Sequence, residues 1–296
     1  MDMAQNKCCR HGASLRRRRR RRRKILRSII FSCSIIAVAV FVAVGSRMIT
    51  SGDGGTNKYD VEAGNNTYDN AVIENSKISE KNKIQNNQSM LDDIMNSTQY
   101  PKQLKELALK NEEALEFVYD YPAEHVKEHT IDLTEEASMD SVPLFVQWDK
   151  RWGYEKYSGN FFAASGCGPT TLSMVVVYLT HNRDASPLAV AKYSKEAGYS
   201  VDGSGSSWTL ISEGCMHYGV KAKTVALDES RMKAELDEGH PIVVNVGPGD
   251  FTDTGHFMVI TGYDDEGFSI NDPNSIEKSG KRWLFRNISS QIRAVW

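Results

Sequence analysis

Ser165-Gly166-Cys167-Gly168-Pro169-Thr170-Thr171 sets a cysteine between two glycines at the start of an apolar run. Flanking glycines leave the cysteine sterically open, and Pro169 suits the first turn of a helix. Beyond it Leu172, Val175, Val176 and Leu179 fall on one helical face, so the segment predicts a helix that begins at the sulfur. At a helix N-terminus the dipole and the free N–H groups favour a thiolate, the form that acts as nucleophile. A small buried hydrophobe at a tight turn explains the same segment equally well.

A nucleophilic thiol needs a base, and six histidines lie beyond residue 46. His125 and His129 sit in a charged stretch, His181 and His217 near predicted helix ends, and His240 in a Gly-His-Pro turn. His256 differs, because it follows Asp253-Thr254-Gly255 and opens the apolar strand Phe257-Met258-Val259-Ile260. A rigid strand holds an imidazole at a cleft edge better than a loop does. The bland alternative is a hydrogen-bonded edge histidine. Asp272, in Asn271-Asp272-Pro273-Asn274, ends the next predicted strand, where a hairpin brings it beside His256 to orient the ring. As a turn residue it needs no such role. Gln147, in Val146-Gln147-Trp148-Asp149, is a candidate side-chain donor to an oxyanion, together with the Cys167 main-chain N–H.

Around these residues the pattern predicts helices after Cys167, from an N-cap at Ser207 to Gly219, and from Asp228 to Gly239. Strands follow at 241–246, 256–263, 267–271 and 281–286. Helices first and consecutive strands after them predict an α+β domain with an antiparallel sheet, over 141–296. Before it, residues 99–140 form a helical arm in which Leu104, Leu107, Ala108, Leu115 and Val118 share a face. Pro122 ends that run, and Asn111 divides it. Residues 47–98 are polar and Asn-rich, which predicts a disordered stalk.

The N-terminus has a different character. Residues 1–27 hold 12 of the 36 basic side chains and one of the 38 acids, which leaves a net charge of −13 beyond residue 27. That acidic bulk argues against nucleic acid as a partner. Nine consecutive basic residues, Arg16 to Lys24, precede an uncharged run from Ser28 to Ser46, long enough at 19 residues to span a bilayer. Residues 1–27 are expected in the cytoplasm, 28–46 as a single-pass signal anchor, and the rest outside the cell. Cleavage near Ala43-Val44-Gly45 would instead secrete the domain. Five cysteines, two of them (Cys167 and Cys215) beyond the span, do not make a disulfide framework, although a single Cys167–Cys215 bridge is a competing use of the pair. Cys215 shares a helical face with Trp208, Ile211 and Tyr218 and reads as core. No Cys-x-x-Cys pair or phosphate-loop Lys marks a metal or nucleotide site, and no cofactor is expected.

Six segments together resemble the C39-like peptidases, papain-like cysteine proteins of Gram-positive bacteria related to the bacteriocin-leader peptidase domains of export transporters. They are Pro143-Leu144-Phe145-Val146-Gln147-Trp148-Asp149, Trp152-Gly153-Tyr154, Ser165-Gly166-Cys167-Gly168-Pro169-Thr170, Gly247-Pro248-Gly249-Asp250-Phe251-Thr252, Gly255-His256-Phe257 and Asn271-Asp272-Pro273-Asn274-Ser275. The resemblance covers 141–296. It implies a papain-like fold with a helical part packed on the antiparallel sheet, and a triad of Cys167, His256 and Asp272 with Gln147 at the oxyanion. It also implies hydrolysis of peptide or isopeptide bonds in a peptide or protein substrate. The alternatives are acyl transfer of transglutaminase type and a non-catalytic or gated surface binding module. The transporter relatives' double-glycine leader is not carried over, because the span faces this domain outward.

Overall fold

The computed structural model describes residues 66–296, with side chains described from residue 79. The basic tail, the apolar segment 28–46 and residues 47–65 of the expected stalk lie outside the described residues. Among the described residues no helix is long and apolar enough to cross a membrane.

The expected α+β composition is present. Residues 69–296 form one unit, built on a five-stranded sheet in the order β8-β7-β6-β5-β9. Its strands are β5 (Ile242–Val246), β6 (His256–Asp264), β7 (Gly267–Asn271), β8 (Arg282–Trp283) and β9 (Ile292–Val295). Every pairing is antiparallel. Two short ribbons lie outside it, β1 (Lys156–Tyr157) with β2 (Asn160–Phe161) and β3 (Ser200–Val201) with β4 (Gly205–Ser206).

Successive strand side chains point to opposite faces, and the sheet buries both. Val243, Phe257 and Val259 join one core with Leu172, Val175 and Val176 of the helix that starts at the cysteine, Cys167–Thr180. Val244, Val246, Met258 and Ile260 join a second core with Met232 of the helix Glu229–Asp237. That second helix is capped as its sequence predicts: the Asp228 side chain accepts from the Arg231 N–H, and Gly239 takes a φ of 82°.

Two predicted elements differ, and two observed ones lay outside the prediction. The helix expected from Ser207 to Gly219 is broken into Thr209–Ser212 and a 3-10 turn, Gly214–Tyr218, with Glu213 between them at φ −125°. The strand expected over 281–286 stops after Trp283, and Phe285–Ile288 turns helical. A helix at Pro187–Glu196, capped by Ser186, and the last strand β9 were not predicted.

The larger difference lies before the domain. The segment expected to be a disordered stalk is helical from Asn66 to Asn96 (α1). Its polar face explains the expectation, but its last turns carry Met90, Leu91 and Ile94 into a core with the arm. Ile94 is fully buried, and i,i+4 contacts such as Gln88 to Asp92 reinforce the turns before it. The arm follows as α2 (Lys102–Lys110) and α3 (Leu115–Tyr119), divided at Asn111 as the sequence suggests. Leu104, Leu107, Ala108, Leu115 and Val118 are buried, and they pack with Phe161 and Ala163 of the domain itself. Tyr154 donates to the Phe117 carbonyl at 2.8 Å and stacks on the Phe117 ring. The arm shares a core with the domain it precedes.

Truncating a fully buried leucine there should cost about 2–5 kcal/mol. Leu104→Ala is therefore expected to lower the denaturant midpoint of the whole domain in a single transition. An unchanged midpoint for the sheet, read by Trp283 fluorescence, would mean that the arm is an appendage.

Candidate active site

The sulfur sits where the sequence puts it. Cys167 is the first residue of its helix, preceded by a one-turn helix, Phe162–Ser165, and by Gly166. Both Cys167 and Cys215 are free thiols, so the disulfide alternative fails. The glycines have a different reason from the one expected. A Cβ at Gly166 would stand 2.5 Å from the Phe162 ring, and one at Gly168 would stand 2.5 Å from Ser206 Oγ. Close packing of the preceding turn and of β4 requires them, and both keep ordinary negative φ angles.

Helix and sheet are locked together one turn beyond the sulfur. Thr171 is fully buried, and its hydroxyl donates to the Phe257 carbonyl at 3.1 Å. Phe257 is the neighbour of His256, whose own carbonyl accepts from Asn245 Nδ2 at 3.2 Å. The first bond ties the cysteine helix to the first residues of β6, and the second ties those residues to β5. Sequence reasoning passed over both residues, although a lone Asn inside the apolar strand Ile242–Val246 was a signal.

His256 is 6% exposed and Asp272 is fully buried. Strands β6 and β7 form the expected hairpin, closed by Asp264 pairing with Gly267. It brings His256 Nε2 within 2.7 Å of Asp272 Oδ1. With Nε2 taken, Nδ1 is the ring nitrogen left to address the sulfur. Asn271 points elsewhere, donating to the Val142 and Pro143 carbonyls.

Charge follows from this geometry. Burial by itself pushes the His256 imidazole down, but the Asp272 carboxylate and the Cys167 sulfur outweigh it and hold the ring up at about 10. Burial likewise pushes the Cys167 thiol up. The hydrogen bond and charge of His256, with main-chain bonds at Phe257 and Gly168, bring it below its ordinary value. A lowered thiol beside a raised imidazole favours the thiolate–imidazolium form of the pair, the two groups titrating as a unit.

Gln147 is 4% exposed, and its main-chain N–H donates to the Pro273 carbonyl at 2.7 Å. Its side-chain Nε2 donates to the Ala163 carbonyl at 2.7 Å and to Asn274 Oδ1 at 3.3 Å. Both amide hydrogens are thus engaged at the base of the site. Asn274, to which the sequence analysis gave no role of its own, donates its N–H to Asp272 Oδ1 at 2.8 Å. One carboxylate oxygen therefore serves the imidazole and the loop together.

With this geometry in view, the profile of the Peptidase_C39 like family matches residues 139–296. The chain belongs to this family. The match spans the cysteine helix, the ribbons and the whole five-stranded sheet, and it begins at residue 139, after the last helix of the arm, Thr134–Ser138. Comparison with curated proteins and with solved structures returned no match. Membership in a peptidase family directs the search for substrates to peptides and proteins. Elsewhere in the C39-like domain, Glu235, Glu238 and His240 bring possible metal-ligand atoms within 4.8 Å of one another. Glu235 is already engaged there by Lys223 and by His240.

The ion pair makes a pH prediction with a definite sign. Alkylation of Cys167 should persist below the ordinary free-thiol range of about 8.5, and the imidazolium should survive until about pH 10. Asp272→Asn removes the charge that holds the ring up, so the His256 pKa should fall by about one to three units. The onset of thiolate should then move up toward that of a free thiol. Titration by thiolate absorbance in both proteins checks this; identical curves would remove Asp272 from the pair.

Proposed function

We propose that residues 141–296 are a papain-like cysteine peptidase of a bacterial cell surface. In this reading 28–46 is a single membrane span, and the domain lies outside the cell. The observation that carries the catalytic reading is the buried His256–Asp272 pair set against a cysteine at a helix N-terminus. The uncharged run between Arg27 and Arg47, preceded by the basic block, supports the location.

The chemistry follows from the charges. The Cys167 thiolate attacks the carbonyl carbon of a peptide or isopeptide bond, and its electron pair displaces the carbonyl π pair onto oxygen. As the tetrahedral adduct collapses, the amine leaves with the proton that His256 gives up, and a thioester remains on the sulfur. Water then attacks the thioester while His256 takes its proton. The carboxylic acid departs, and the thiolate and imidazolium are restored. Asp272 keeps the imidazole oriented and stabilises its charge throughout. Main-chain N–H groups at the start of the cysteine helix have no intrahelical partner and are suited to the oxyanion. For Gln147 to donate there as well, its amide must exchange one of its two present acceptors for the oxyanion. No step calls for a metal or an organic cofactor.

Incubating the full chain with a mixed peptide library should yield cleavage products, with water as the acyl acceptor. Cys167→Ala and His256→Ala should each lower turnover by at least about a hundredfold. Amide products formed only when an amine is added would turn the reading toward acyl transfer. An inert thiol, together with a biological effect that survives Cys167→Ala, would leave a binding module.

A further inference from the structure

Asp272 follows the last residue of β7 and opens a loop, Asp272-Pro273-Asn274-Ser275, that leads into a one-turn helix, Ile276–Ser279. The inner side of this loop belongs to the site already described. Its outer side is held by the arm. The Glu113 carboxylate accepts from the Ile276 N–H at 2.7 Å and from the Glu277 N–H at 3.1 Å, and it also bonds the Ser275 hydroxyl. It therefore caps the one-turn helix from outside the loop's own sequence. Asn111 Nδ2 donates to the Asn274 carbonyl at 2.9 Å and to Asn274 Oδ1 at 3.1 Å. Asn111 Oδ1 in turn accepts from the Glu113 N–H at 3.0 Å, so the two arm residues hold each other in place.

These bonds reach the catalytic carboxylate in one further step. Asn274, gripped by Asn111, donates its N–H to Asp272 Oδ1, the same oxygen that binds His256. On the other branch, Ser279 of the capped helix accepts from the Asp272 N–H at 2.9 Å and donates to the Ser275 carbonyl at 2.7 Å. The turn bearing Asn111 and Glu113 cannot drift, because α2 and α3 on either side of it are packed through Leu107, Ala108, Leu115 and Val118.

We propose that Asn111 and Glu113 are positioning residues for Asp272, so that the arm supplies the outer wall of the active site and is required for its chemistry. This rests on the catalytic reading above. It gives the segment before the family's matched region a role opposite to that of an occluding pro-segment, since removing the arm would disable the site. The principle is general: a catalytic constellation performs only when the shell behind it fixes its geometry, and small displacements carry large rate costs.

The test uses the full chain and follows alkylation of the peptide that bears Cys167, by mass, across pH. Buried Cys215 serves as the internal report of unfolding, being 2% exposed. In Glu113→Ala and Asn111→Ala the alkylation rate on the acid side of the free-thiol range should fall by roughly ten- to a hundredfold. Well above that range it should match wild type. Glu113→Gln, which keeps one acceptor oxygen for the helix N–H groups, should recover part of the loss. If Glu113→Ala exposes Cys215, the comparison passes to Asn111→Asp, which keeps the acceptor for Glu113 and loses the donor to Asn274; the same acid-side loss is expected there. Full acid-side reactivity in these variants, with Cys215 protected, would overturn the proposal while leaving the catalytic reading intact. An absence of acid-side reactivity in wild type would overturn that reading, and this proposal with it.

Discussion

A carboxylate with no exposed surface needs a partner of opposite charge, and Asp272 finds one in the His256 imidazole at 2.7 Å. Much of the domain is arranged around satisfying that need. The β6–β7 hairpin sets the two residues side by side, and Thr171 and Asn245 fix the strand that carries the imidazole. Asn274 supplies the carboxylate with a second donor. The imidazole can remain charged while nearly buried only because this arrangement offsets its desolvation. The sulfur is altered as a consequence: the imidazole held beside it brings the thiol below its ordinary value and favours the thiolate.

The same economy explains why the arm has no chemistry of its own yet is not separable. Its apolar face completes a third core with Phe161 and Ala163, two residues that flank Phe162, against which the cysteine's own turn packs. Its polar turn meets the loop after Asp272. One short segment therefore abuts both the turn before Cys167 and the loop after Asp272.

Sequence made the cysteine, histidine and aspartate legible because each lies at an element boundary with its own local signature: a proline-started helix, a glycine before an apolar strand, a turn after one. Hairpin logic alone placed Asp272 beside His256. The supporting residues were less visible. Thr171 and Asn274 lay inside quoted motifs, but only the approach of distant backbone gives them partners. Glu113 caps a helix 163 residues away, which no local pattern can announce. Helix α1 was misread as disordered for the related reason that composition averages over a segment. Three apolar residues at its end, Met90, Leu91 and Ile94, suffice to anchor it. Gln147 shows the opposite limit: its position was anticipated, while the direction of its amide is decided by Ala163 and Asn274.

The sheet order β8-β7-β6-β5-β9 has a consequence for how the molecule comes into being. The last strand, Ile292–Val295, lies against β5, and Trp296 exchanges two main-chain hydrogen bonds with Val243. Asp272 also emerges late in synthesis, long after the cysteine. Closing loops of this length before their contacts form is slow. Until it happens, Cys167 lacks the imidazole whose hydrogen bond and charge lower its thiol. Topology therefore orders assembly: the His256–Asp272 pair can form only once chain more than a hundred residues beyond Cys167 has been made.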